Sequence, residues 1–145
     1  MKSELTIRPF EWKDEQTVVN LWKACELVVP WNDPHTDIKL KINFQPDLFL
    51  IGELDGKLIA SVMAGYEGHR GWINYLAVHP DFRGRGFGKR IMSEAELKCI
   101  ALGCVKINLQ VRGTNTRVIK FYQEMGYNVD EVVSLGKRLD KQIRF

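Results

Sequence analysis

Val78-His79-Pro80-Asp81-Phe82-Arg83-Gly84-Arg85-Gly86-Phe87-Gly88-Lys89-Arg90 is the stretch on which the reading of this chain turns. The apolar run Tyr75-Leu76-Ala77-Val78 leads into it and reads as a strand, and a helical pattern follows it. Between them three glycines alternate with other residues, among them basic side chains. A glycine-rich turn at a helix start exposes backbone N–H groups where the helix dipole favours anions. Glycine also lets a ligand come close to the backbone. The pattern predicts a pocket for a phosphate-bearing cofactor.

Two familiar phosphate loops do not fit. A P-loop needs G-x-x-x-x-G-K-[ST], but Arg83 stands where the first glycine belongs and Arg90 where the hydroxyl belongs. The dinucleotide fingerprint needs G-x-G-x-x-G, whereas Gly84, Gly86 and Gly88 are spaced G-x-G-x-G. A third pattern, [QR]-x-x-G-x-[GA] after a short strand, is met by Arg83, Gly86 and Gly88. Downstream, Asn115 is followed by Phe121-Tyr122 and then Gly126-Tyr127. Across residues 75–127 these features resemble the GNAT superfamily of acetyl-CoA-dependent N-acetyltransferases. They are similar in particular to small bacterial enzymes that acetylate ribosomal-protein alanine N-termini.

The bulk composition agrees with one soluble domain. At 145 residues, 45% hydrophobic and 27% charged, the chain suits a single globular domain spanning 1–145. No apolar run approaches the roughly 18 residues of a membrane span. Met1-Lys2-Ser3-Glu4 lacks a signal-peptide core. Cys25, Cys99 and Cys104 have no metal-ligand spacing and suit reduced thiols in a cytoplasmic protein. A net charge of +3 fits an anionic cofactor without demanding nucleic acid.

Periodicity predicts strands at Glu4–Arg8, Leu48–Leu54, Lys57–Tyr66, Trp72–Val78 and Val105–Val111, with a last strand beginning over Tyr127–Val133. Helices are predicted at about 12–26, 35–44, Phe87–Leu102 and Asn115–Met125. Strands grouped as a meander with flanking helices read as α+β, a three-layer arrangement around a mixed sheet. The resemblance adds that the middle strands splay apart near the cofactor.

The resemblance also implies a site. The pantetheine arm of acetyl-CoA would pair with the edge of Leu76, Ala77 and Val78 like an added strand, the Val78 N–H pointing at the acetyl carbonyl. The pyrophosphate would rest on the N–H groups of Gly84, Arg85, Gly86, Phe87, Gly88 and Lys89, beside Arg83. Asn115 matches a family position that hydrogen-bonds the cofactor; its competing role is a helix N-cap. Tyr122 matches the general acid near the sulfur; its competing role is one more residue of an apolar stripe. No metal is called for.

A general base is missing from the expected places. Relatives that modify ribosomal-protein N-termini carry a glutamate where this chain has Gln110, and Asn74 stands where histone-type relatives have a carboxylate. Glu67, His69 and His79 remain, His79 reading as structural and the other two as turn residues. An α-amine, with a pKa of roughly 7.7–8.0, is partly neutral without help, whereas lysine near about 10.4 is not. The acceptor therefore leans towards an amine of low pKa. Trp31, Asn32, Asp33 and Glu67 are the acceptor-side candidates, although Pro30 and Pro34 would equally make the first three part of a rigid connector.

Two rival functions stand beside the enzyme. A non-catalytic acyl-CoA-binding or sensing module is motivated by the absent base. A nucleic-acid module would use the basic loop with Phe82 and Phe87, but both rings suit a core role as well. The expected partners are acetyl-CoA and an amine acceptor, with no nucleic acid and no membrane, and a homodimer is left open.

Overall fold

The computed structural model describes residues 4–140, so Met1–Ser3, part of the N-terminal reading above, lie outside it. Five strands form one sheet in sequential order: β1 Thr6–Pro9, β2 Phe49–Leu54, β3 Lys57–Tyr66, β4 Gly71–Val78 and β5 Ile107–Leu109. β1 to β4 are an antiparallel meander, and β5 runs parallel to β4. The helices are α1 Glu15–Ala24, α2 Pro34–Ile42, α3 Phe87–Ala101 and α4 Thr116–Glu124. The mixed sheet and α+β class agree with the sequence. By backbone contacts the chain divides into two compact units, Met1–Gln110 and Val111–Phe145.

Local chemistry explains the elements of the first unit. Asp55 and Gly56, with φ of 51° and 78°, make the β2–β3 hairpin as a two-residue turn with both φ values positive. Asp33 caps α2 by accepting the His35 N–H at 3.1 Å, and Pro34 opens the helix where no N–H is needed. Val18, Val19, Leu21 and Trp22 of α1 and Ile38 of α2 pack with Phe49, Ile51, Met63 and Ala77 into one core cluster. Strand alternation puts Leu50, Ala60 and Val62 on the opposite face. These are buried, as are Ile91, Met92, Ala95 and Cys99 of α3, which packs against β3. Arg8 of β1 fastens the first turn to the sheet. It donates to Glu53 on β2 at 2.6 Å and to both oxygens of buried Asp14 at 2.8 and 2.9 Å.

Three expectations need correction. The strand predicted over Tyr127–Val133 is not formed; residues 127–140 are irregular, and Val129, Val132 and Val133 are exposed. Alternation breaks there at Asp130-Glu131, and among the described residues no strand pairs with the segment. β5 is shorter than predicted, three residues instead of seven. α3 stops at Ala101, one residue short of the prediction, because Leu102 is its exposed C-cap, with Gly103 following at φ 91°.

Candidate active site

The sheet carries an interruption at β4. β5 pairs with β4 only through Gly71–Ile73, opposite Ile107–Leu109. From Asn74 to Val78 no strand lies on that side among the described residues. The His79 N–H donates across to Ile59 O at 2.8 Å, so Ala77 also faces β3. Alternation then turns the N–H groups of Leu76 and Val78 to the open side. This partial pairing is the splay that the resemblance implied.

A bulge sits at the start of the open segment. The β3–β4 register shifts between Ser61 and Met63, and Tyr75 takes a left-handed φ of 52°. Its ring stacks on Trp22 with centroids 3.7 Å apart, and its hydroxyl donates to Asp37 Oδ2 at 2.6 Å. Ser61 Oγ donates to Tyr75 O at 2.9 Å and accepts the Trp22 indole N–H at 2.9 Å. Burial and the Asp37 carboxylate push the Tyr75 phenol well above its ordinary range. None of this was legible in sequence, because a tyrosine in a strand pattern carries no signal for a left-handed backbone.

The glycine loop follows directly. His79 Nδ1 accepts the Asp81 N–H at 3.1 Å and so caps the short turn Pro80–Phe82. Arg83 Nε donates to Val78 O at 3.1 Å, bracing the loop against the strand end. Gly84 and Gly86 have φ of 77° and 83°, and Gly86 is the N-cap of α3. The first bond of that helix runs from Arg90 N–H to Gly86 O at 3.1 Å. The N–H groups of Phe87 and Gly88 come before it, in the turn where the dipole is positive. A Cβ at Gly84 or Gly86 would meet nothing within 4 Å, so the space over the loop is open. Arg85 lies over the Phe87 ring at 5.0 Å, and Arg90 faces Glu94 at 3.5 Å.

The acceptor-side candidates have local partners. Trp31 and Asn32 are exposed in the α1–α2 connection. Asp33 accepts from Thr36 Oγ1 at 2.8 Å and from the His35 N–H, which hold its carboxyl below the usual range. Glu67 accepts the N–H groups of His69 and Arg70 within the β3–β4 turn, which likewise lowers its carboxyl and weakens it as a base. One residue was missed. Lys41 stands on the buried stripe of α2, 8% exposed, over the Phe44 ring at 5.5 Å. Desolvation brings its pKa down to about 8. Its position three residues after Ile38 was the available signal.

In the second unit, Asn115 is the N-cap of α4 and accepts the Val118 N–H at 3.4 Å. Tyr122 is buried, with Phe121 and Tyr127 edge-on to its ring at 5.2 and 5.6 Å. Burial pushes its phenol up to about 12.

The family model described as the acetyltransferase (GNAT) family matches residues 13–127. An acetyltransferase of Sodalis glossinidius is 51% identical over 136 residues, covering 93% of this chain and 96% of that protein. The ribosomal-protein-S18-alanine N-acetyltransferase of Escherichia coli has a similar structure, with a TM-score of 0.73 at 20% identity over 86% of this chain and 78% of that one. An aminoglycoside N-acetyltransferase solved in complex with CoA reaches a TM-score of 0.71 at 20% identity over 97% and 98% of the two chains.

Proposed function

Because the chain belongs to the acetyltransferase (GNAT) family, we propose that it transfers the acetyl group of acetyl-CoA to a primary amine by direct attack in a ternary complex. The observation that carries this reading is the open β4 edge running straight into a loop of unencumbered backbone. When bound, acetyl-CoA supplies an activated thioester.

The chain's own groups would do the rest. The N–H groups of Leu76 and Val78 hold the pantetheine as an added strand and donate to the acyl oxygen. The N–H groups from Gly84 to Lys89 take the pyrophosphate, with the α3 dipole behind them. Arg83 fixes the loop through Val78 O, and exposed Arg85 contributes attraction that salt screens. Asn115 keeps α4 capped and is proposed to meet the cofactor as well. The raised pKa of Tyr122 keeps its hydroxyl protonated at neutral pH. Moving that proton fully to a thiolate, whose pKa is roughly 8.5, would be uphill by about 5 kcal/mol. Tyr122 therefore acts as a hydrogen-bond donor to the departing sulfur. The whole chain, 1–145, works as one catalytic domain.

With Gln110 at the expected position, the carboxyl of Glu67 depressed and His79 Nδ1 taken by the Asp81 N–H, His69 in the turn is what remains of the base candidates named above. This supports an acceptor amine that is already partly neutral, a protein N-terminus before a lysine. The same observation favours one second reading, an acyl-CoA sensor without turnover. Titration calorimetry with acetyl-CoA, using ATP and NAD as controls, tests the cofactor; micromolar binding of acetyl-CoA alone is expected. A panel of peptide N-termini, lysine peptides and small amines, assayed by CoA release, then separates enzyme from sensor.

A further inference from the structure

We propose that Tyr75 and Asp37 are positioning residues: through Trp22 and Ser61 they hold the bulge of β4 that aims the Leu76 and Val78 N–H groups along the open edge. This rests on the reading that acetyl-CoA lies along that edge.

A left-handed backbone is unusual for a bulky residue and persists only when its surroundings over-determine it. Here three contacts do so. The Tyr75 ring is stacked on Trp22 at 3.7 Å, its hydroxyl is held by Asp37 at 2.6 Å, and its carbonyl is held by Ser61 at 2.9 Å. Ser61 and Trp22 are fully buried and bonded to each other, so the circuit has no slack. The bulge immediately precedes Leu76, and bulges re-aim the groups beside them. Trp22 lies on α1 and Asp37 on α2, so the same circuit ties both helices to the acyl-facing edge. The carboxylate strengthens the tyrosine bond, and Asp37 is only half-buried at the end of the circuit.

The test is amide hydrogen exchange by NMR on the full chain, with and without acetyl-CoA, for the parent, Tyr75→Phe and Asp37→Asn. In the parent, acetyl-CoA should slow exchange at Leu76, Val78, Gly84, Gly86 and Gly88 together. In Tyr75→Phe the ring stays on Trp22, loop protection should persist, and protection of Leu76 and Val78 should fall by roughly tenfold or more. Asp37→Asn, which still offers a neutral acceptor, should give an intermediate loss. Core amides away from the bulge, such as Ile91 and Cys99 of α3, should not change, which a general loss of stability would not allow. Parent-like protection of Leu76 and Val78 in both variants overturns the inference. Absence of protection at loop and edge in the parent overturns the cofactor placement, and this inference with it.

Discussion

Gly86 offers a test in which backbone strain and ligand approach can be separated. Its φ is 83°, and a Cβ built there meets nothing within 4 Å, so a substitution is disfavoured by conformation and not by crowding. Gly56 in the β2–β3 hairpin has φ of 78° and equally empty surroundings, but no proposed ligand. A left-handed residue with a Cβ costs about 1–2 kcal/mol, so Gly86→Ala and Gly56→Ala should lose stability alike. For a chain of this size each kcal/mol lowers the melting temperature by roughly 2–4 °C. Binding should differ sharply. If the Gly86 turn no longer admits the pyrophosphate, two charge-assisted backbone hydrogen bonds are lost, each worth about 1.5–3 kcal/mol. That amounts to roughly 10²–10⁴ in Kd. Calorimetric titration of acetyl-CoA into Gly86→Val, Gly86→Ala and Gly56→Ala, with melting curves on the same samples, reads both effects. Undiminished affinity in Gly86→Val would refute the loop assignment. Equal loss of affinity in Gly56→Ala would show that stability, not approach, governs binding.

Tyr122→Phe should remove most turnover while leaving acetyl-CoA affinity within about threefold; unchanged turnover in a steady-state assay removes Tyr122 from the mechanism. Lys41 makes a pH prediction. Its folded pKa of about 8 lies below the ordinary lysine value of 10.5, so its charged form costs stability in full below pH 8 and the cost fades as pH rises between the two. Lys41→Met should therefore be more stable than the parent in urea at pH 7, by about 1 kcal/mol or more after allowing for solvent screening, with the gap closing near pH 10; a gap independent of pH would contradict this. Asp14 has the opposite sign. Burial raises its carboxyl, but the hydrogen bonds from Arg8 and the Glu11 N–H outweigh this and hold it below the usual range, so its contribution exists above about pH 4 and is lost on further acidification. Asp14→Asn should cost about 1–3 kcal/mol at pH 7 and flatten the acid limb of the stability curve; a parallel acid limb would rule it out.

The parts of this fold that were legible in sequence are those where local chemistry decides. Lys57–Tyr66 formed over the predicted residues because Asp55-Gly56 fixes its start and a mostly apolar run, buried from Ile59 to Ala64, carries it through the middle of the sheet. α3 began at Phe87 because Gly86 caps it. Asn115, expected as either cap or ligand contact, does cap α4. The illegible parts depend on neighbours far along the chain. The Tyr75 bulge needs Trp22, Asp37 and Ser61, which lie 14 to 53 residues away and carry no pattern that links them. The extent of β5 depends on where β4 bends away from it. The segment after Tyr127 has apolar residues enough for a strand, but a strand requires a partner and its own sequence does not name one.

The unfinished pairing of β4 has a colloidal consequence. An uncovered row of backbone donors and acceptors is a template that any extended peptide can copy, and proteins commonly guard such rows with charge, proline or a covering element. Here no charged residue stands on the stretch from Asn74 to Ala77, although Arg83 takes the Val78 carbonyl at its end. A small molecule shaped like a strand would serve as its removable guard. At a hundredfold excess over its dissociation constant, such a guard would add about 2.7 kcal/mol to the folded state. Protein freed of it should self-associate more readily, visible as rising light scatter that added CoA reverses. The supply of acyl carrier would then set how long the protein stays dispersed as well as how fast it works.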